Sequence, residues 1–156
     1  MSVTWKTTGW SQQYRIFRDK IIVGILNKEI WKNVALGEYN GAMIRFSSQG
    51  FWKTETIITD IEGAKSLGRI AYNDWKSTAT VTFQDESYEW KYESWKRNEW
   101  TIYHGSNFAK YKMTNIWKGE GAIEIEGVPP ELVIVGLYIE DHFKTIAASV
   151  MVAANS

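Results

Sequence analysis

Residues 129–156 restrict the fold more than any other part of this chain. They read PPE, then LVIVGLYI, then EDHFKT, then IAASVMVAA, the most apolar stretch of the 156 residues. Proline suits a first helical turn and Glu131 suits its positive end. No turn signal interrupts the next two dozen residues, and Ala147, Ala148, Ala153 and Ala154 favour helix. The pattern predicts one helix over 130–154, roughly 35 Å long at 1.5 Å per residue. Its first turns, through Leu132, Val133, Ile134, Val135 and Leu137, are apolar all round, so they must be enclosed. Two alternatives carry less weight. A membrane span needs about 20 consecutive apolar residues, and Glu140, Asp141, His142 and Lys144 break the run. A buried strand fits the β-branched LVIVGLYI but not its Pro-Pro-Glu opening. Glu140 and Lys144, four apart, are expected to pair along a wet stripe.

Composition narrows what surrounds that helix. The length suits one domain, 1–156. Eighteen basic and eighteen acidic side chains cancel, so nothing draws the whole chain to nucleic acid, and no DNA partner is expected. There is no Cys, hence no disulfide framework or thiolate metal site. The opening MSVTWKTTGW lacks a signal-peptide run, which makes a cytoplasmic location the expectation. Aromatics make up 15% of residues, which favours sheet.

The segments before the helix read as strands. The first dozen residues are expected to be loose. Strands follow at 12–17, 21–26, 30–36, 42–46, 57–60, 67–72, 78–83, 87–93, 99–103, 108–113 and 122–125, with turns at 18–20, 60–63, 85–86 and 104–107. Thr78 to Phe83 alternates cleanly, Ala79, Val81 and Phe83 inward. Tyr88, Trp90 and Tyr92 share one face of their strand, and Glu89, Lys91 and Glu93 the other. A weak repeat with an offset of 44 maps Gly24 onto Gly68, Trp31-Lys32 onto Trp75-Lys76, Ala35 onto Ala79 and Tyr39 onto Phe83, as if one β unit were used twice. Short, evenly spaced strands signal a barrel or a sandwich. The fold class is mainly β (α+β): about twelve strands closed around a long hydrophobic C-terminal helix. A sandwich with the helix packed on one face is the alternative.

Several segments carry a family resemblance. They are Ile58-Thr59-Asp60-Ile61-Glu62-Gly63 with Gly68-Arg69-Ile70, then Tyr88-Glu89-Trp90-Lys91 and Ser94 leading to Trp100, and the helix with Gly136-Leu137-Tyr138 at its centre. With the order of elements, they make the chain from about residue 12 similar to the tubby C-terminal-like fold of tubby proteins, phospholipid scramblases and LURP-one-related proteins. The resemblance implies a twelve-stranded barrel around a central helix, with Gly136 letting a wall aromatic approach. It also implies a class of ligand, since tubby proteins bind phosphoinositides through basic residues on the barrel.

Catalysis has little support in the sequence. The two histidines, His104 and His142, have no nucleophile at motif spacing, and His142 is expected to be a satisfied polar residue. Glu124 and Glu126 share a strand face that is more simply solvated. Gly119-Glu120-Gly121 precedes no helix, as a phosphate loop would require. No metal, cofactor or enzymatic activity is expected.

Binding has more. Lys91, Lys96, Arg97, Lys110 and Lys112 crowd one stretch, interleaved with Trp95, Trp100 and Tyr111. Cations beside aromatics suit anionic headgroups at a membrane or single-stranded nucleic acid. A solvated face salt-bridged through Glu89, Glu93 and Glu99 is the plainer alternative. The expectation is a non-enzymatic module, peripheral at a membrane and recognising anionic lipid. The alternatives are a protein-interaction domain using exposed Trp95 and Trp100, and scramblase-like lipid handling.

Overall fold

A computed structural model describes residues 1–8, 13–29, 33–49 and 55–155. The strands are β1 (Ser2–Thr8), β2 (Gln13–Arg18), β3 (Ile21–Glu29), β4 (Val34–Tyr39), β5 (Ala42–Gln49), β6 (Glu55–Thr59), β7 (Ser66–Asn73), β8 (Thr78–Phe83), β9 (Glu86–Tyr92), β10 (Glu99–His104), β11 (Asn107–Asn115) and β12 (Glu120–Glu126), followed by helix α1 (Pro130–Ala154). Each strand pairs antiparallel with its sequence neighbours, and β1 pairs with β12 to close the barrel. Closure leaves no unpaired edge. The helix runs inside, and the sandwich alternative is set aside.

The first eight residues correct the expectation of a loose start. Ser2–Thr8 forms the closing strand, with Ser2 opposite Glu124 and Thr4 opposite Phe17. Val3 and Trp5 point inward, with half-buried Thr7 following on the same face, so the alternation has two apolar beats in a polar setting and is easily missed. Trp5 needs room. A Cβ on Gly121 would lie 2.1 Å from its ring, so the glycine at this inward position of β12 makes space for the indole. The turn expected at 85–86 falls one residue earlier. Gln84 and Asp85 both have positive φ, the geometry of a tight two-residue hairpin, and Glu86 already belongs to β9. The expected residues 12 and 30–32 lie outside the described residues.

The 44-residue offset is structural. Gly24 pairs with Tyr39 as Gly68 pairs with Phe83, and Lys28 with Ala35 as Tyr72 with Ala79. The β3–β4 and β7–β8 hairpins thus share one register.

Contacts of α1 with the wall are close at two glycines. A Cβ on Gly37 of β4 would come within 2.5 Å of Ile134, and one on Gly136 within 2.2 Å of the Tyr111 hydroxyl. The Tyr111 hydroxyl donates to the Val133 carbonyl at 2.7 Å, and the Trp90 indole N–H to the Gly136 carbonyl at 3.2 Å. Phe46 stacks on Tyr138 with ring centroids 4.1 Å apart. These contacts hold the helix against several strands at once.

Antiparallel order also fixes the two ends. Strands β1, β3, β5, β7, β9 and β11 all run towards one end, here termed the mouth, where the β7–β8, β9–β10 and β11–β12 loops lie. The helix enters at the other end, after β12, and emerges through the mouth. Residues 147–155 are exposed beyond it. No helix among the described residues is long and apolar enough to cross a membrane.

Candidate functional site

The polar middle of α1 meets the barrel at the mouth. The expected wet stripe is largely enclosed there. Asp141 is buried, accepts a 2.7 Å hydrogen bond from the Tyr14 hydroxyl and forms an ion pair with Lys28. Glu140 accepts a 2.5 Å bond from the Tyr92 hydroxyl. His142 lies 3.0 Å from the Asp74 carboxylate and stacks on Tyr72, centroids 3.7 Å apart, in keeping with a satisfied polar residue. Ser48 and the Tyr138 hydroxyl are 3.0 Å apart. The partners come from β2, β3, β5, β9 and the β7–β8 loop, so the helix is ringed by a polar collar where it leaves the barrel. Lys144 pairs with this collar, 3.2 Å from the Tyr14 hydroxyl, rather than closing an exposed pair with Glu140 alone. Among the described residues no group of three or more His, Cys, Asp or Glu is placed to hold a metal ion.

Burial raises the Glu140 carboxyl to about 7, against the lowering effects of the Tyr92 hydrogen bond and of Lys144 and Arg97. Its pKa in the unfolded chain is near 4.5. The folded state therefore holds its proton more tightly. The resulting stability is fully present below about pH 4.5 and is lost as pH rises through 7. One pKa unit is worth about 1.4 kcal/mol, so the loss is up to about 3 kcal/mol. We expect Glu140→Gln, which can still accept from Tyr92, to melt near the wild-type temperature at pH 5 and well above it at pH 8. Parallel melting curves across that range would show that Glu140 is ionised at no cost.

The six basic and aromatic residues singled out in the sequence fall into two groups facing different ways. Lys91, Lys110 and Lys112 lie on the outer wall. There Lys112 is 3.6 Å from Glu99, Lys110 pairs in register with Glu124 and lies over Phe108, and Lys91 lies over Tyr103. The expected paired carboxylates, Glu124 and Glu126, share this wall, and Gly119-Glu120-Gly121 leads into β12 rather than a helix. Trp95, Lys96 and Arg97 sit in the β9–β10 loop at the mouth, with Lys96 over Trp95 and Arg97 over Tyr92. Trp100 and Tyr111 correct the picture of an exposed aromatic surface. Both are buried and stacked on each other, centroids 5.5 Å apart, because they share the inward parity of Ile102 and Ala109. His104 ends β10, its Nδ1 2.8 Å from the Ser87 carbonyl.

Two loops beside Trp95 complete a rim that residue-by-residue reading did not assemble. Trp75, Trp95 and Trp117 are 96%, 87% and 99% exposed, one on each of three neighbouring loops. Each is followed by a cation: Lys76, Lys96 and Lys118. The first and third loops share a device. The Asn73 side chain accepts from the Lys76 N–H, and the Asn115 side chain from the Lys118 N–H, both at 3.1 Å, turning each tryptophan outward. The signal was present in the sequence: Trp-Lys recurs at 31–32, 52–53, 75–76, 95–96 and 117–118, at intervals of 20 to 23 residues, and occurs besides within strands at 5–6 and 90–91. The pairs at 31–32 and 52–53 lie outside the described residues. Ile116, Val150, Met151 and Val152 extend the exposed apolar surface at the same end. The opposite end turns on Asp19, Asp60, Glu62 and Asp85 beside Lys20 and Lys65, and Arg18 and Arg45 reach its turns at Asn40 and Gly63.

No family model and no curated protein matches this chain. Among solved structures it is similar to an X-ray structure of a protein from Arabidopsis thaliana, with a TM-score of 0.60 and 8% identity over 94% of this chain and 91% of that one. At that identity the likeness concerns the fold alone.

Proposed function

We propose that this barrel is a membrane-docking module that settles mouth-first on an anionic bilayer. The observation that carries this reading is the rim, where three neighbouring loops hold a nearly bare tryptophan beside a lysine at the end from which α1 emerges. Indole rings favour the headgroup boundary because one edge is polar and the rest apolar. Lysines beside them add about 1 kcal/mol each near anionic lipid. The tubby-like resemblance supports the same class of ligand. The wall cations, with acids as neighbours, contribute less in this reading than the sequence alone implied.

Sedimentation with neutral and anionic vesicles at low and high salt tests it. The protein should bind the anionic vesicles, less so at high salt. Changing Lys76, Lys96 and Lys118 to Glu should lower partitioning by more than about a hundredfold, the loss expected from removing the three cations alone. Changing Lys110 and Lys112 to Glu should alter it by no more than about twofold. The Trp75→Ser, Trp95→Ser, Trp117→Ser variant should lose the part that survives high salt. Absence of binding to either vesicle, or loss only in the wall variant, overturns mouth-first docking. In the first case protein capture by the same tryptophans becomes the better reading.

A further inference from the structure

Just inside the rim, beside the emerging helix, lies a cavity of about 530 Å³. That is within the range of small-ligand sites, roughly 300–1,000 Å³. Its apolar lining comes from three directions: Trp5 and Trp100 from the wall, Met113 and Ile116 from the end of β11 and its loop, and Leu137 and Ala147 from α1. Around this apolar body stand Lys96, Arg97, Lys118 and Lys144, against one acid, Glu140. The Trp100 indole N–H is buried with no acceptor among the described residues. A buried donor of this kind calls for an acceptor.

From this arrangement we infer that the cavity binds a single-chain amphiphile with an anionic head, a long-chain carboxylate or monoacyl phosphate. Its chain lies along Trp5, Met113, Ile116 and Leu137, and its head meets Lys96, Arg97 and Lys118. Chain burial supplies the affinity and the cations select the charge. A neutral amphiphile of equal length would leave those cations without an anionic partner, so it should bind more weakly. The one acid, Glu140, faces Lys144 and Asp141 on its own helix, Tyr92 on β9, Arg97 on the β9–β10 loop and Tyr14 on β2. Its negative charge opposes an anionic head, so binding should weaken as Glu140 ionises. The inference goes beyond bilayer docking and does not depend on it, because a free amphiphile in solution can reach the site.

The probe is cis-parinaric acid, a fluorescent long-chain carboxylate, added below its micelle concentration to the full chain without vesicles. Energy transfer from tryptophan should saturate at one probe per protein. Oleate should displace the probe, and oleyl alcohol should do so at least tenfold less well. Ala147→Trp, an exposed helix position on the cavity wall, should cut affinity at least tenfold while leaving the melting temperature unchanged. Lys118→Glu should weaken oleate but not oleyl alcohol. Glu140→Gln should bind more tightly than wild type at pH 8 and equally at pH 5. Transfer that never saturates, equal displacement by acid and alcohol, or full affinity in Ala147→Trp overturns the site. Such a result with vesicle sedimentation intact leaves mouth-first docking standing.

Discussion

Replacing Ile134 by Asp should abolish cooperative folding. Ile134 is fully buried on α1, and its Cγ2 fills the space above Gly37 of β4. The change removes about 2–3 kcal/mol of side-chain burial. It also places a carboxylate in the apolar half of the helix, away from the polar collar, at a cost of several kcal/mol. Native domains are stable by only about 5–15 kcal/mol, so the sum is comparable with the whole. A barrel that cannot hold its helix exposes an apolar lumen, and the described residues include no second helix to fill it. The expected result is loss of the near-ultraviolet aromatic signal and of any sharp melting transition. Leu137→Asp should be milder, because Leu137 also lines the mouth cavity and a carboxylate there has an aqueous neighbour. An Ile134→Asp protein that melts at the wild-type temperature would mean that the helix is dispensable to the barrel.

Architecture was readable in this sequence because two periodicities coincide with burial. Alternation at Ala79, Val81 and Phe83 gives a strand with one buried face, and the all-round apolar run from Leu132 demands an enclosure. Gly136 was legible for the same reason, since an inward helical position without a side chain leaves room for the Tyr111 hydroxyl. The closing strand was not, because its outward residues are Thr and Lys and only Val3 and Trp5 mark the inside.

The rim was hidden by the way hairpins repeat. Strands alternate in direction, so every second connection returns to the same end. A feature needed at that end recurs at the spacing of a hairpin, about 21 residues, as five of the seven Trp-Lys pairs do, while the pairs at 5–6 and 90–91 lie within strands and blur the period. An offset of 44 spans two hairpins and shows half of the pattern. The polar collar had no local signal at all. Tyr14, Lys28, Ser48 and Tyr92 are far apart in sequence and become neighbours only when the barrel closes. Seen alone, the Glu140–Lys144 segment looks like an ordinary wet helix face.

The collar's central contact gives the second large effect. Asp141 and Lys28 form an ion pair with side chains 5% and 28% exposed. Lys28→Met removes the cation and leaves the carboxylate enclosed, with the Tyr14 hydroxyl and the more distant Lys144, 3.9 Å away, as neighbours. Breaking a buried pair from one side costs about 3–5 kcal/mol. Lys28 keeps some solvent, which places the expected loss near the lower figure, about 3 kcal/mol. In a chain of this length, that lowers the melting temperature by roughly 6–12 °C. Asp141→Asn should cost clearly less, because the amide still accepts from Tyr14 and Lys28 can turn to water. The double variant Lys28→Met, Asp141→Asn should then be more stable than Lys28→Met alone, since the carboxylate that lost its cation is gone. Single-variant losses that simply add, within about 0.5 kcal/mol, would show the two residues to be independent. Coupling of the expected size would instead make the pair a pin between β3 and the emerging helix. It would hold Val150, Met151 and Val152 at the same end as Trp75, Trp95 and Trp117, where mouth-first docking requires them.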